Sequence, residues 1–172
     1  MFRFIVIFIT FLACAYIGFY FGEVYKYRSL ELKDFQKAVI LMNTEVLYSN
    51  TPLPIALLNI SYKLETTFSK VFKEISDMLE EGEIFSVYEG FNKSYSKHKD
   101  EFNLKEGDLN IIKDFFFSLG ESGVYGQEKI FNLTSEELKR KYLEAEEECK
   151  VNRKMYRGIG VCVGAIIAIF FI

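Results

Sequence analysis

The chain has 172 residues, 21 Lys and Arg against 24 Asp and Glu, a formal net charge of -3, and 50% hydrophobic and 17% aromatic residues. So nearly balanced a charge argues against nucleic acid as a partner, and Cys14, Cys149 and Cys162 form neither a zinc spacing nor a disulfide framework, which fits a reduced compartment. The single histidine, His98, stands in Lys97-His98-Lys99 and reads as solvent-exposed; with no Gly-rich phosphate loop, HExxH pair or GxSxG elbow, nothing assembles a nucleophile with its base, and the chain reads as a scaffold without enzyme activity, cofactor or metal.

From Phe4 to Gly22 no side chain is charged, and Arg3 and Glu23 bound the run. Its length matches the ~20 residues a helix needs to cross a hydrocarbon core of ~30 Å, so residues 1–22 read as an N-terminal transmembrane helix. Arg3, the apolar stretch and Ala13-Cys14-Ala15 resemble a leader peptide, but the run stays apolar through Phe21 where a leader turns polar, so it reads as an anchor. Cys14, Gly18 and Gly22 recur at every fourth position, a small-residue face that lets helices in lipid approach closely.

Helical spacing then repeats along residues 23–156. Leu32, Phe35, Val39, Met42 and Val46 make a stripe that ends at Ser49-Asn50-Thr51-Pro52. Thr51, Pro52, Leu53 and Pro54 read as a structural turn that fixes the angle between the first two helices, because proline presets φ and removes backbone donors; Pro54 opens the next helix through Ile55, Leu58 and Tyr62. Val71, Phe72, Ile75, Met78 and Leu79 form a third stripe stopped by Gly82, and Ile84, Tyr88, Phe91 and Tyr95 a fourth. Ser94 to Asp108, the most polar segment, reads as a connecting loop, and Leu109, Ile112, Phe116 and Leu119 make a fifth helix ended by Gly120.

The last helix starts near Ser122 to Gly126 and carries a seam of Leu138, Tyr142, Ala145, Cys149, Asn152 and Tyr156. Its charge is polarised. Glu136, Glu137, Glu144, Glu146, Glu147 and Glu148 come first, a solvated face or an acidic docking face for a basic partner, with pairs expected between Glu136 and Arg140 and between Glu146 and Lys150. Lys150, Arg153, Lys154 and Arg157 follow; with Lys26 and Arg28 they make two basic clusters beside the apolar runs, placed to meet anionic headgroups. Residues 157–172 read as a shorter C-terminal transmembrane helix, with a buried helix or a monotopic tail as the other readings, and Gly160, Gly164 and Ala168 repeat the four-residue spacing of small side chains. Lys and Arg flank the middle on both sides, which orients it to the cytoplasm with both termini outside.

Glu45-Val-Leu-Tyr48-Ser-Asn-Thr51-Pro52-Leu53-Pro54-Ile-Ala56-Leu57, the later Leu119-Gly120-Glu-Ser122 with Gln127, and the helix from Leu133-Thr134 to Glu148 leading to the final apolar run resemble the stage III sporulation protein AB family of endospore-forming bacteria. The resemblance covers essentially the whole chain. It implies a bundle like the helical F domain of the platform protein in type II secretion and type IV pilus machines, working among other sporulation membrane proteins that build a channel or feeding complex between mother cell and forespore. It further implies a secretion-type ATPase as partner, and a place in the mother-cell membrane around the forespore with the bundle in the mother-cell cytoplasm. Pro54 departs from the acidic residue often found near that turn in the family, so no charged contact is expected there.

The expected architecture is therefore an all-α bundle of about six helices, anchored in the lipid bilayer by an N-terminal and a C-terminal transmembrane helix, that couples to the ATPase and is open to homo-oligomer formation. Two other classes stand beside it: a membrane-bound regulator using Glu144 to Glu148 for metal or lipid headgroups, and a small pore former.

Overall fold

Long stretches without proline let a backbone hydrogen-bond to itself over many turns, and the first and last helices are the longest. The computed structural model describes the backbone of residues 2–121 and 124–171, with side chains over 9–119, 128–167 and 169–170. Helix α1 spans Phe2–Asn43 and α6 spans Val124–Phe171. Between them lie α2 (Leu53–Ser61), α3 (Phe68–Glu80), α4 (Val87–His98) and α5 (Glu106–Glu121). The all-α class and the six helices match the sequence reading.

The two transmembrane helices do not. Among the described residues, no helix is long and apolar enough to cross a membrane. The physical reason is where charge enters: the uncharged run of α6 from Gly158 is shorter than the ~20 residues a span needs, and that of α1 is closed at Glu23. Beyond them come Glu23 and Lys26 in α1 and Arg157 and Lys154 in α6. The side chains of Phe4 to Phe8 and of Ala168, which the sequence reading also used, lie outside the described residues.

The chain divides into two compact units, a paired-helix unit of Met1–Ser29 with Leu143–Ile172 and a bundle unit of Leu30–Tyr142. Helices α1 and α6 contribute to both.

The bundle unit is built on phenylalanine. The stripe Leu32, Phe35, Val39 and Met42 on α1 is wholly buried. Phe35 is its hub: ring centroids of Phe68, Phe72, Phe115 and Phe116 lie 4.8, 6.1, 5.7 and 5.8 Å away. Phe91 stacks on Phe116 at 4.5 Å, and Phe131 of α6 closes on Phe115 at 5.6 Å. Large flat side chains on five helices thus meet at one centre, and their offset and edge-on packing stabilises the core beyond simple burial.

Two connections show how local sequence sets the path. Helix α1 ends in a π-helical turn over Thr44–Tyr48, where the Ser49 amide reaches back to the Thr44 carbonyl at 3.1 Å. Asn50 takes a left-handed φ of 49°, Pro52 is extended with ψ 139°, and Leu53 and Pro54 open α2. At the other connection the structure corrects the sequence. Ser94 to Asp108 is mostly ordered helix: α4 continues to His98, a 3-10 turn covers Lys99–Glu101, and α5 begins at Glu106. Its polar side chains pair with one another and with α1 and α3, while Ser96, Lys97, Lys99, Asp100 and Glu101 remain exposed.

Candidate functional site

Within the bundle unit the polar chemistry lies where helices end. Glu31 and Asp34 stand one turn apart on α1, next to core residues Leu32 and Phe35, and both are buried. Asp34 Oδ2 accepts three hydrogen bonds, from the Glu65 amide at 3.0 Å, the Thr66 amide at 2.9 Å and the Thr66 hydroxyl at 2.7 Å. It satisfies donors just ahead of α3 that otherwise lack partners. Glu31 does the same on the other side, accepting from the Asn103 amide at 3.0 Å and from Asn103 Nδ2 at 3.0 Å. Burial pushes the Glu31 carboxyl up to about 7, against the lowering effect of those hydrogen bonds, with Asp108 adding to the rise. One helix of the bundle therefore holds both neighbouring connections by paired carboxylates.

His98 is the second such group, and it is not solvent-exposed as its flanking lysines imply. Its side chain is only 12% accessible, with Nε2 3.0 Å from Glu74 and Nδ1 2.9 Å from Glu101. The position at the end of α4 turns the ring inward between α3 and the 3-10 turn. Lys97 reaches Glu74 at 2.6 Å, Ser94 donates to Glu74 at 2.6 Å, and Lys70 reaches Glu101 at 2.7 Å. Hydrogen bonds to Glu74 and Glu101 raise the His98 pKa above the ordinary imidazole value. Against the opposing effect of burial, Lys97, Ser94 and His98 bring Glu74 down to about 2, while Lys70 and His98 bring Glu101 to about 2. This arrangement is an ion-pair clasp, with each partner's charge fixed by the next.

The turn at Thr51, Pro52, Leu53 and Pro54 is tied to both its neighbours. Thr51 donates its amide to the Glu45 carbonyl at 2.9 Å and its hydroxyl to the Glu45 carboxylate at 3.0 Å, and the Ser76 hydroxyl of α3 donates to the Pro54 carbonyl at 2.8 Å. Pro52 caps α2, its carbonyl accepting from Ala56 at 2.9 Å.

In the paired-helix unit the small residues come together. A Cβ placed on Gly18 would stand 2.9 Å from Gly160 Cα and 2.7 Å from the Tyr156 carbonyl oxygen; one on Gly164 would meet Phe11 and Cys14, and one on Gly22 would meet Arg153. The basic residues turn inward there. Arg28, its side chain 4% accessible, donates to Glu148 at 2.7 Å, and Arg153 and Arg157 both donate to Glu23 Oε1, at 2.5 and 2.9 Å. Lys26 lies 3.6 Å from the other Glu23 oxygen, and the Arg153 hydrogen bond foremost holds the Glu23 carboxyl below its usual range. Lys150 pairs with Glu146 at 3.1 Å, and Lys154 is exposed. Of the six basic residues singled out by the sequence, five are thus engaged with carboxylates of the same unit.

The acidic run is divided between the two units. Glu136 and Glu137 belong to the bundle unit and are exposed, with Arg140 3.7 Å from Glu137 rather than from Glu136. Glu144, Glu146, Glu147 and Glu148 belong to the paired-helix unit, where Glu146 and Glu148 meet Lys150 and Arg28. Sequence reading missed Glu31, Asp34 and the inward turn of His98. The available signal was position: each sits beside a core residue at a helix end or facing one, where an acid or imidazole meets loose backbone amides.

A family model described as stage III sporulation protein AB matches residues 3–172. The chain is similar to "Stage III sporulation protein AB" of Bacillus subtilis (strain 168), 26% identical over 155 residues, which are 90% of each chain. It is also similar to a solved structure titled "Stage III sporulation protein AB (SpoIIIAB)", with 26% identity, a TM-score of 0.65, and coverage of 72% of this chain and 96% of that one.

Proposed function

The chain belongs to the stage III sporulation protein AB family, and from that premise we propose that it is a non-enzymatic assembly component of the sporulation complex between mother cell and forespore, whose bundle unit docks a secretion-type ATPase. Its role is sporulation-related. The family match from residue 3 to residue 172 is the observation that carries the reading. The bundle supports it by its build: the buried carboxylates and the one imidazole hold connections in place and are spent on rigidity. A rigid body with fixed corners suits a docking platform, since a partner then binds a surface that has little freedom left to lose.

On this reading the bundle faces the mother-cell cytoplasm, where the ATPase works, and other sporulation membrane proteins are its neighbours. The regulator reading is weakened by Glu146 and Glu148, which already pair with Lys150 and Arg28, and the pore reading required the spanning helices. The test is direct binding of the full chain to the purified secretion-type ATPase of the same complex, by titration calorimetry. Saturable binding is the expected result; no heat and no co-migration at high micromolar concentration would sink the docking role.

A further inference from the structure

The corner between α3 and α4 holds an aromatic ring out into water on a rigid support. Phe85 is 98% exposed, the most accessible large apolar side chain among the described residues of the bundle unit. Its backbone is fixed from both sides. Gly82, with a φ of 72°, donates its amide to the Leu79 carbonyl at 3.3 Å and Glu83 donates to Met78 at 2.9 Å, closing α3 in the manner of a left-handed C-cap. On the other side the Ser86 hydroxyl accepts from the Tyr88 amide at 3.2 Å and caps α4. Ile84 and Val87 are each 3% exposed, and Ile84 Cδ1 lies 2.5 Å from where a Gly90 Cβ would stand, so the glycine is the seat of that anchor. Phe85 therefore points outward because both its apolar neighbours point inward.

The surroundings specify what it meets. Tyr88 and Phe117 contact edge-to-face at 5.6 Å, bringing the start of α4 and the end of α5 to the same end of the bundle. Asp77, Glu80, Glu81 and Glu83 are all exposed at the corner, and no Lys or Arg stands between Lys73 and Lys93. An aromatic knob on a preorganised loop, ringed by carboxylates, matches a protein surface with an apolar socket bordered by Lys and Arg: the socket takes the ring, and the charges guide approach and orientation.

We propose that this corner is the surface by which the bundle docks its partner, with Phe85 as the anchor and the acidic rim as the steering charge. The proposal rests on the docking role proposed above and names the face that performs it. The test is calorimetric titration of the purified secretion-type ATPase with the full chain, in native form and as Phe85→Ala, as the double variant Glu80→Lys with Glu83→Lys, and as Tyr62→Ala. Tyr62, 72% exposed at the end of α2, is the control for loss of any exposed aromatic ring. Circular dichroism melting establishes that each variant folds.

The expected result is at least tenfold weaker binding for Phe85→Ala and for the charge reversal, a native affinity that falls with added salt, and native binding by Tyr62→Ala. Native binding by Phe85→Ala and by the charge-reversed variant overturns the surface while leaving the docking role intact. No binding by the native chain overturns both. Self-association of the native chain in sedimentation, abolished by Phe85→Ala, assigns the corner to a second copy and also overturns the proposal.

Discussion

The two units use the same pair of long helices in opposite ways. In the paired-helix unit α1 and α6 meet through what they lack: with only hydrogen on Gly18 and Gly160, the backbones approach until a Cβ on either would stand 2.9 Å from the other's Cα, and Glu23, Arg153 and Arg157 close the contact beside it. In the bundle unit the same helices contribute bulk, with Phe35 and Phe131 joining a cluster of rings. One contact is stabilised by close backbone approach and charge, the other by aromatic volume and buried carboxylates. A glycine and a phenylalanine thus do the corresponding work in the two halves of α1.

The sharpest way to break this comparison is Phe35→Ala. It empties the centre of four ring contacts and should cost about 3–5 kcal/mol in denaturant unfolding of the bundle; a loss under ~1 kcal/mol would mean that the cluster closes over the gap and is not the organising feature. Next comes Gly18→Ala, whose added methyl collides with backbone rather than with a side chain able to move. A cost of about 1–3 kcal/mol is expected, read as faster amide hydrogen exchange along residues 14–24. Unchanged protection there would show that the helices have room to separate.

A third measurement concerns pH. The His98 value in the folded chain lies above its ordinary 6.5, so the clasp contributes fully below ~6.5 and is lost as pH rises through the raised value. Glu31, raised from 4.5 to about 7, weakens the fold as it ionises between those values. Both act in one direction, and Glu74 and Glu101, at about 2, stay ionised throughout. The bundle should unfold about 1–3 kcal/mol more readily at pH 8.5 than at pH 5. Glu31→Gln, which keeps an acceptor for Asn103, should flatten the slope from about pH 4.5 to 7 and leave the higher part; a flat profile in the native chain would contradict both assignments. The smallest effect should come from Gly158→Ala, whose Cβ would meet nothing within 4 Å. It should stabilise α6 by about 0.5–1 kcal/mol, against the loss expected at Gly18.

Apolar periodicity carried much of this in the sequence. The stripe from Leu32 to Met42, the stop at Gly82 and the turn through Pro54 follow from side-chain spacing and from φ preferences that act within a few residues. The rest depends on partners far away in the chain. Arg28 and Glu148 lie 120 positions apart, and Glu31 and Asn103 lie 72 apart, so nothing local reveals that these charges face inward. The apolar runs beside Glu23 and Arg157 read as membrane spans for the same reason: hydropathy registers how greasy a stretch is, and not that a second stretch with matching glycines covers one side of it.

The joining of Glu23 to Arg153, 130 residues later, also sets an order of events during synthesis. The apolar stretch from Ile9 to Gly22 emerges from the ribosome well before the segment that carries Gly160 and Gly164. At ~5–20 residues per second the early stretch waits roughly 7–26 s for its partner, while the helices that surround Phe35 can already gather. For that interval the nascent chain carries an uncovered greasy helix, and its safekeeping falls to whatever meets it at the tunnel exit.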